Sequence, residues 1–373
     1  MAAPDLLTTV LRDVSRTFYI TMRVLPRSIR HQIGLAYLLA RTTDTIADTE
    51  IVPVERRLDA LRALRDRILG SSCNVLDFSE FTKAPAKGTE PFMAQCENAL
   101  RDIEYDKLTD PAIVTHKGSD AERGLLLRVE EILAVLSTFT DDDQQIIRQV
   151  LSTITSGQEL DLRRFGQASA QRIVALETLK ELDDYTYRVA GCVGEFWTRM
   201  CRGHVFPTAS LDENEFFVDA IRFGKGLQLV NVLRDLPADL RNGRCYLPEN
   251  ELRTLQLQPS DLLNPKNESR LRPFYNELLA KTDGHLRAGW NYTLTVPRSC
   301  VRVRIACAVP ILIGVRTLAR LRTHNVLDGA QRIKISRREV KQIFIRSILT
   351  YPSTKSWNRL YQKTAQLETT YAT

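Results

Sequence analysis

Apolar residues recur at helical spacing along most of this chain, and that period closes off nearly every fold except packed helices. Leu6, Val10, Val14 and Phe18 line one face of a segment near 5–22, and Ile29, Ile33, Ala36, Tyr37 and Ala40 line one over 27–49. The same spacing predicts helices near 121–138, 142–166, 171–202, 211–241, 268–292, 297–322 and 336–350. Ser210 is placed to cap the 211–241 segment, and Gly243 falls just past its end, as helix punctuation requires. The polar stretch from Ser71 to Pro91 reads as a surface loop. Alternating strand patterns are scarce, with neither a heptad seam nor a repeat of roughly 20–50 residues. The expectation is an all-α fold: a single domain over residues 1–373, a helical bundle around a central cavity.

A net charge of +7 suits an anionic substrate or an anionic membrane surface. Nucleic acid is not an expected partner, because no compact Lys/Arg run with interleaved aromatics appears. The cysteines, Cys73, Cys96, Cys192, Cys201, Cys245, Cys300 and Cys307, are odd in number and form no CxxC pair. The N-terminus MAAPDLLTTVLRD lacks the charged start and apolar core of a secretory signal. Free thiols in a reducing, cytoplasmic setting are expected. The five histidines are too scattered to suggest zinc. The longest apolar run, Ile305 to Val315, is too short to cross a bilayer, and the tail SWNRLYQKTAQLETTYAT is polar. No transmembrane anchor is expected, and membrane contact would be peripheral. Composition leaves the oligomeric state open.

Two aspartate pairs stand out within the helical segments. Asp44 and Asp48 lie in ARTTDTIADTE, and Asp235 and Asp239 lie in LVNVLRDLPADLRNGR. The i,i+4 spacing puts both carboxylates of a pair on one helix face, where like charges repel. Mg²⁺ takes carboxylate oxygens together with substrate phosphate oxygens, so facing helices holding a diphosphate through Mg²⁺ is the first hypothesis. Read alone, the first pair is a solvated charged face, with Arg41 one turn before it. The second shares its stripe with Gln228 and Asn231, inside a helix otherwise lined by Leu229, Val230, Val232 and Leu233. Buried polar groups want partners, so this stripe points to a site. Pro237 removes one backbone donor and is expected to distort or end the helix there. Two further blocks, Ser15-Arg16-Thr17-Phe18 and Tyr185 to Gly194, contain no chemistry that spacing alone identifies.

Taken in order, SRTF, YLLARTTDTIAD, YRVAGCVG, QLVNVLRDLPAD and NGRCYLP resemble the squalene/phytoene synthase family of head-to-head prenyl transferases, from Ser15 to about Val340. The resemblance implies the helical isoprenoid synthase fold and farnesyl diphosphate as substrate. Asp44, Asp48, Asp235 and Asp239 would be ligands for Mg²⁺ or Mn²⁺. Ser15, Arg16, Arg41, Gln228, Asn231 and Arg234 would bind substrate. Tyr185 would manage the proton lost during coupling, Tyr37 and Phe18 would face the carbocation, and Tyr246 would close the metal side. Arg41 and Arg234 would also act in catalysis by gripping phosphate oxygens. The extension from about residue 325 resembles the basic loop that contacts NADPH in squalene synthases, with Lys334, Ser336 and Arg337 as cofactor residues, joined by Arg16, Arg41 and Arg234. This segment and Ala306 to Pro310 point to squalene as product. Phytoene, dehydrosqualene and presqualene diphosphate are the alternatives, with a non-catalytic role behind them. An ordinary head-to-tail prenyl transferase is disfavoured, because Thr45 and Leu236 break the DDxxD pattern. Departures from the family pattern are Ala47 and Ala238, where relatives often carry acids, and Ser336, where some carry Arg.

Overall fold

Prolines and capping side chains set where the helices begin. The computed structural model describes residues 6–15, 24–49, 52–82, 114–330 and 333–366, without the side chains of 8, 15 and 114–120. The chain divides into two compact units: Met1–Gly166 with Glu195–Ser210, and Gln167–Gly194 with Leu211–Thr373.

In the first unit, a π-helical stretch Leu6–Val10 runs into α1 (Leu11–Ser15). Helix α2 (Arg27–Asp48) starts behind Pro26 and α3 (Val54–Leu69) behind Pro53. Helix α3 ends at Gly70, whose φ of 77° lets its N–H reach back to the Arg67 and Asp66 carbonyls. The expected loop after Ser71 holds one helical turn, α4 (Ser79–Thr82), because Phe78 and Phe81 are both buried and meet edge to face. Its part beyond Thr82 lies outside the described residues. The helix expected near 121–138 is two, α5 (Val114–Leu127) and α6 (Val129–Leu136). Helix α7 (Asp141–Phe165) is capped by Thr140, which accepts from the Asp143 N–H, and carries three aspartates in its first turn where the helix dipole favours them. Helices α2 and α3 both pack on α7.

The second unit opens with a departure from expectation. Residues from 171 are not helical: β1 (Val174–Ala175) enters a short parallel ladder, and helix begins only at α8 (Leu179–Thr186), behind a Thr178 cap. A π-helical turn, Tyr187–Gly191, joins α8 to α9 (Cys192–His204), whose residues from Glu195 belong with the first unit. Helix α10 (Glu213–Arg234) is capped by Asp212, not Ser210, because the Asp212 carboxylate reaches the Glu215 N–H. As the proline required, the 211–241 segment breaks: α10 stops at Arg234, and α11 (Leu236–Arg241) starts afresh with Pro237 in its first turn. Gly243, at φ 78°, turns the chain against the Ser169 backbone into β2 (Arg244–Cys245), the partner of β1. Then follow α12 (Glu249–Thr254), α13 (Glu268–Thr295), α14 (Val301–Leu321), α15 (Arg337–Thr350) and α16 (Thr354–Ala365). Helix α16 replaces what reads as a polar tail. Trp357 and Leu360 are buried, and the Trp357 indole donates to the Ser347 carbonyl at 2.9 Å. Helices α10 and α13 share the most extensive contact of this unit.

Candidate active site

In the first unit α2 carries Tyr37, Arg41, Asp44 and Asp48. A polar run such as Arg41-Thr-Thr-Asp-Thr survives in a packed helix because its threonines serve themselves. Thr42, Thr43, Thr45 and Thr49 each donate to a carbonyl three or four residues back, at 2.6 to 2.8 Å. The carboxylates have no such escape. Burial and the neighbouring Asp48 charge push Asp44 up to about 7, against the pull of Arg41 and a hydrogen bond from Gln158 Nε2 to Oδ1 at 2.5 Å. Burial works to lower the pKa of Arg41, but Glu122, with which it forms an ion pair, and then Tyr37, Asp44 and Asp48 hold it above its usual range. Arg41 Nε and Gln158 Oε1 are buried without hydrogen-bond partners. Glu122 and Gln158 belong to this cluster and were not expected in it.

In the second unit a buried polar chain runs along α10. Asn231 Nδ2 donates to Gln228 Oε1 at 3.4 Å, and Gln228 Nε2 donates to Tyr185 Oη at 3.2 Å. The Tyr185 ring stacks on Tyr246 with centroids 4.6 Å apart. At the helix end the Arg234 guanidinium forks onto the Asp235 carboxylate, with Nε to Oδ1 at 3.0 Å. Asp235 sits at the joint between α10 and α11, at φ −92° and ψ 4°. The backbone still closes one turn across it, since the Asp239 N–H reaches the Asp235 carbonyl at 3.0 Å. Pro237 has no N–H to give the Leu233 carbonyl. The buried Tyr275 hydroxyl of α13 donates to that carbonyl instead, at 2.9 Å. Burial raises the Tyr275 pKa, so the phenol stays protonated as this donation demands.

The basic segment is placed by its own cap. Ser336 opens α15, accepting from the Glu339 N–H while the Glu339 carboxylate takes the Ser336 N–H and hydroxyl. Glu339 also pairs with Arg316 and Arg320, and Arg320 reaches the Lys334 carbonyl. Although burial opposes it, the Ser336 and arginine bonds hold Glu339 below its usual pKa. The Ser336 hydroxyl is thus occupied in the cap, while Lys334 and Arg337 present exposed cations. Arg16 and Phe18 and the Ser15 side chain lie outside the described residues.

Among the described residues no three His, Cys, Asp or Glu side chains converge as a cation cage. Each aspartate pair offers two carboxylates, and that suffices for Mg²⁺, which commonly takes one or two and completes its shell with water and substrate phosphate. The donor sets therefore fit the ion. An exposed Lys and Arg likewise fit the phosphates of a dinucleotide.

The fold is all-α, with one aspartate pair on α2 of the first unit, a second at the α10–α11 joint, and a buried Tyr185–Gln228–Asn231 chain in the second unit. The squalene/phytoene synthase family model matches residues 11–339, and the chain belongs to that family of prenyltransferase-type enzymes. Squalene synthase ERG9 of Saccharomyces cerevisiae is 24% identical over 326 residues, covering 87% of this chain and 63% of that protein. A bifunctional lycopene cyclase/phytoene synthase of Blakeslea trispora is 25% identical over 345 residues, covering 90% of this chain and 48% of that protein. The chain thus spans between about half and two thirds of these relatives. Among solved structures, the complex of TcSQS with the ligand BPH1237 superposes with a TM-score of 0.69 at 18% identity, covering 98% of this chain and 92% of that one. A dehydrosqualene synthase in complex with a ligand gives 0.53 at 17%, covering 96% and 93%. These two establish the fold.

Proposed function

We propose that the protein joins two farnesyl diphosphates head to head into presqualene diphosphate and reduces this with NADPH to squalene. The observation that carries the reading is the buried stripe Asn231, Gln228 and Tyr185, with the Arg234–Asp235 fork one turn beyond. Such a polar chain inside an apolar helix is costly wherever its groups are left unsatisfied, so its presence here supports a role in chemistry.

Mg²⁺ would be held by Asp44 with Asp48 and by Asp235 with Asp239, and supplies the charge neutralisation that lets diphosphate leave. Arg41 and Arg234 grip phosphate oxygens through planar forks. Tyr185 Oη, already accepting from Gln228, takes the proton that the coupling carbon loses and passes its own to the departed diphosphate. The stacked ring of Tyr246 fixes the angle of that hydroxyl. Tyr37 and Phe18 would offer ring faces to the allylic cation, which must be kept from water, since water would convert it to an alcohol; Ala190, Gly191 and Gly194 instead pack against α10 and do not line that space. Lys334 and Arg337 would hold the phosphates of NADPH, which supplies the hydride of the second half-reaction.

The test is to incubate the protein with farnesyl diphosphate and Mg²⁺, with and without NADPH, and to identify products by mass spectrometry. Squalene only with NADPH, and presqualene diphosphate or dehydrosqualene without it, supports the reading. A product indifferent to NADPH moves the protein to the dehydrosqualene or presqualene diphosphate branch. No product sinks the assignment for this substrate. Lys334→Ala with Arg337→Ala should spare presqualene diphosphate and raise the NADPH requirement by about tenfold; unchanged squalene yield at limiting NADPH removes these residues from the cofactor site.

A further inference from the structure

Helix α15 has an outer face that no part of the described chain covers. Leu349 is 72% exposed, Ile348 45% and Ile345 43%, although a helix of this length in a folded unit normally turns such residues inward. They fall on one side of the helix, at the spacing i, i+3 and i+4. The patch continues past the helix end. The Tyr351 hydroxyl donates to the Arg298 carbonyl at 2.5 Å, and Arg298 Nη2 donates to the Pro352 carbonyl at 2.8 Å. This lays the turn before α14, with exposed Val301, alongside exposed Pro352.

The rim of this patch is uniformly cationic. Arg338, Lys341, Arg346, Lys355, Arg298 and Arg302 are all exposed. No acid occurs between Asp283 and Asp328, and the acid within α15, Glu339, is held by Ser336, Arg316 and Arg320. Residues 284–363 carry sixteen Lys and Arg against two acids, a surplus of fourteen on a chain whose net charge is +7. The rest of the protein is therefore acidic, and the positive field is gathered on this part of the second unit.

We propose that this face of α15, with the Arg298–Val301 turn, seats the protein on an anionic lipid surface. Aliphatic side chains enter the headgroup boundary and the ring of Arg and Lys meets lipid phosphates. Charge complementarity selects the occupant. A protein partner or a second copy would have to bring an acidic face with an apolar patch set within it, whereas an anionic leaflet brings both the charge and an apolar layer beneath it. The described residues contain no helix long and apolar enough to cross a membrane, so this contact lies on the bilayer. The inference stands whichever product the enzyme makes.

Flotation of the full chain with vesicles tests it. Binding is expected to an equal mixture of phosphatidylcholine and phosphatidylglycerol, to weaken as salt rises, and to be lost on phosphatidylcholine alone. The triple variant Ile345→Ser, Ile348→Ser, Leu349→Ser keeps every charge and should bind at least about tenfold more weakly. Arg302→Gln, Arg346→Gln and Lys355→Gln should each cost about fivefold. All six side chains are exposed, so circular dichroism and melting temperature should match the parent. The proposal is overturned if the parent ignores anionic vesicles, or if the serine variant binds as the parent does, which would put the contact elsewhere. It is also overturned if light scattering finds a dimer that the serine variant dissolves, which would make the occupant a second copy.

Discussion

The two aspartate pairs look alike in sequence and differ in how the chain holds them. Asp44 and Asp48 ride an unbroken helix whose neighbouring threonines satisfy their own hydroxyls, and Asp44 shares its surroundings with Asp48 and Glu122. Asp235 and Asp239 straddle a break between α10 and α11, with Asp235 forked by Arg234. The first pair keeps its geometry, and burial with the Asp48 charge raises Asp44 against the pull of Arg41 and Gln158. The second gives up helix continuity and has its charge met at once by an adjacent guanidinium. Equal spacing in a sequence thus does not imply equal electrostatics. The supporting residues decide: the distant Gln158 and Glu122 for the first pair, the adjacent Arg234 for the second.

That contrast can be broken by neutralising one acid in each pair. Asp44→Asn and Asp235→Asn should both lower presqualene diphosphate formation by ~10²-fold or more. They should part company on stability. Asp44→Asn relieves repulsion and should raise the stability of the metal-free protein, whereas Asp235→Asn gives up the Arg234 fork and should leave stability unchanged or lower it by up to ~1 kcal/mol. A fall in stability for Asp44→Asn, read by thermal melting, would mean the first pair is already compensated. A smaller effect is expected at Gln158, whose amide aims the Asp44 carboxylate. Gln158→Ala should reduce Mg²⁺ affinity by ~10–100-fold, as loss of a ligand's supporting partner does, and should raise the Mg²⁺ concentration needed for half-maximal turnover. An unchanged Mg²⁺ requirement would remove Gln158 from that role.

The second pair has its own support to lose. Tyr275→Phe leaves the Leu233 carbonyl buried and unbonded beneath Asp235, and should cost ~1–3 kcal/mol in denaturant unfolding. A stability like the parent's would show that the proline break needs no such cover. The smallest effect concerns charge of the opposite sign. His285 of α13 packs against Gly226 of α10, and its pKa is lowered to about 4 by burial and by Arg222, Lys281 and Lys225, with only Asp183 opposing. A histidine kept neutral when folded costs nothing above its unfolded pKa near 6.5, and the protein loses stability as pH falls from there towards 4. His285→Gln should flatten that limb of the stability profile by about 1 kcal/mol once partial exposure is allowed for. An identical acid limb in the variant would rule His285 out as its source.

Much of this was legible in the sequence because burial repeats with the helical period. The long helices and both aspartate pairs follow from it, and Pro237 announces its break by chemistry alone. What was not legible depends on contacts between remote residues. Gln158 is 114 positions from Asp44, Glu122 is 81 from Arg41, and Tyr275 is 42 from Leu233. Each is an unremarkable polar residue within its own helix. Helix α16 was hidden for the same reason: its composition is polar, and Trp357 reveals a buried face only beside Trp290, with ring centroids 5.1 Å apart. The strand at 174–175 went unread because its partner lies beyond Gly243.

The π-helical turn at Tyr187–Gly191 acts as a phase shift in the chain. Such a turn accommodates one residue more than an α-helix would, so everything after it is rotated by about 100° relative to a regular continuation. That rotation presents Gly194 to the Ala220 carbonyl, which a Cβ would approach to 2.0 Å, while Gly224 meets the Ala190 carbonyl, where a Cβ would come to 2.1 Å. Deleting a single residue between 187 and 191 would leave a perfectly good helix and swing Gly194 off α10, putting a bulkier neighbour in its place. The tyrosine before the turn and the glycines after it are therefore bound to one indel state, and a relative that lost the extra residue would have to rebuild the whole α10 contact.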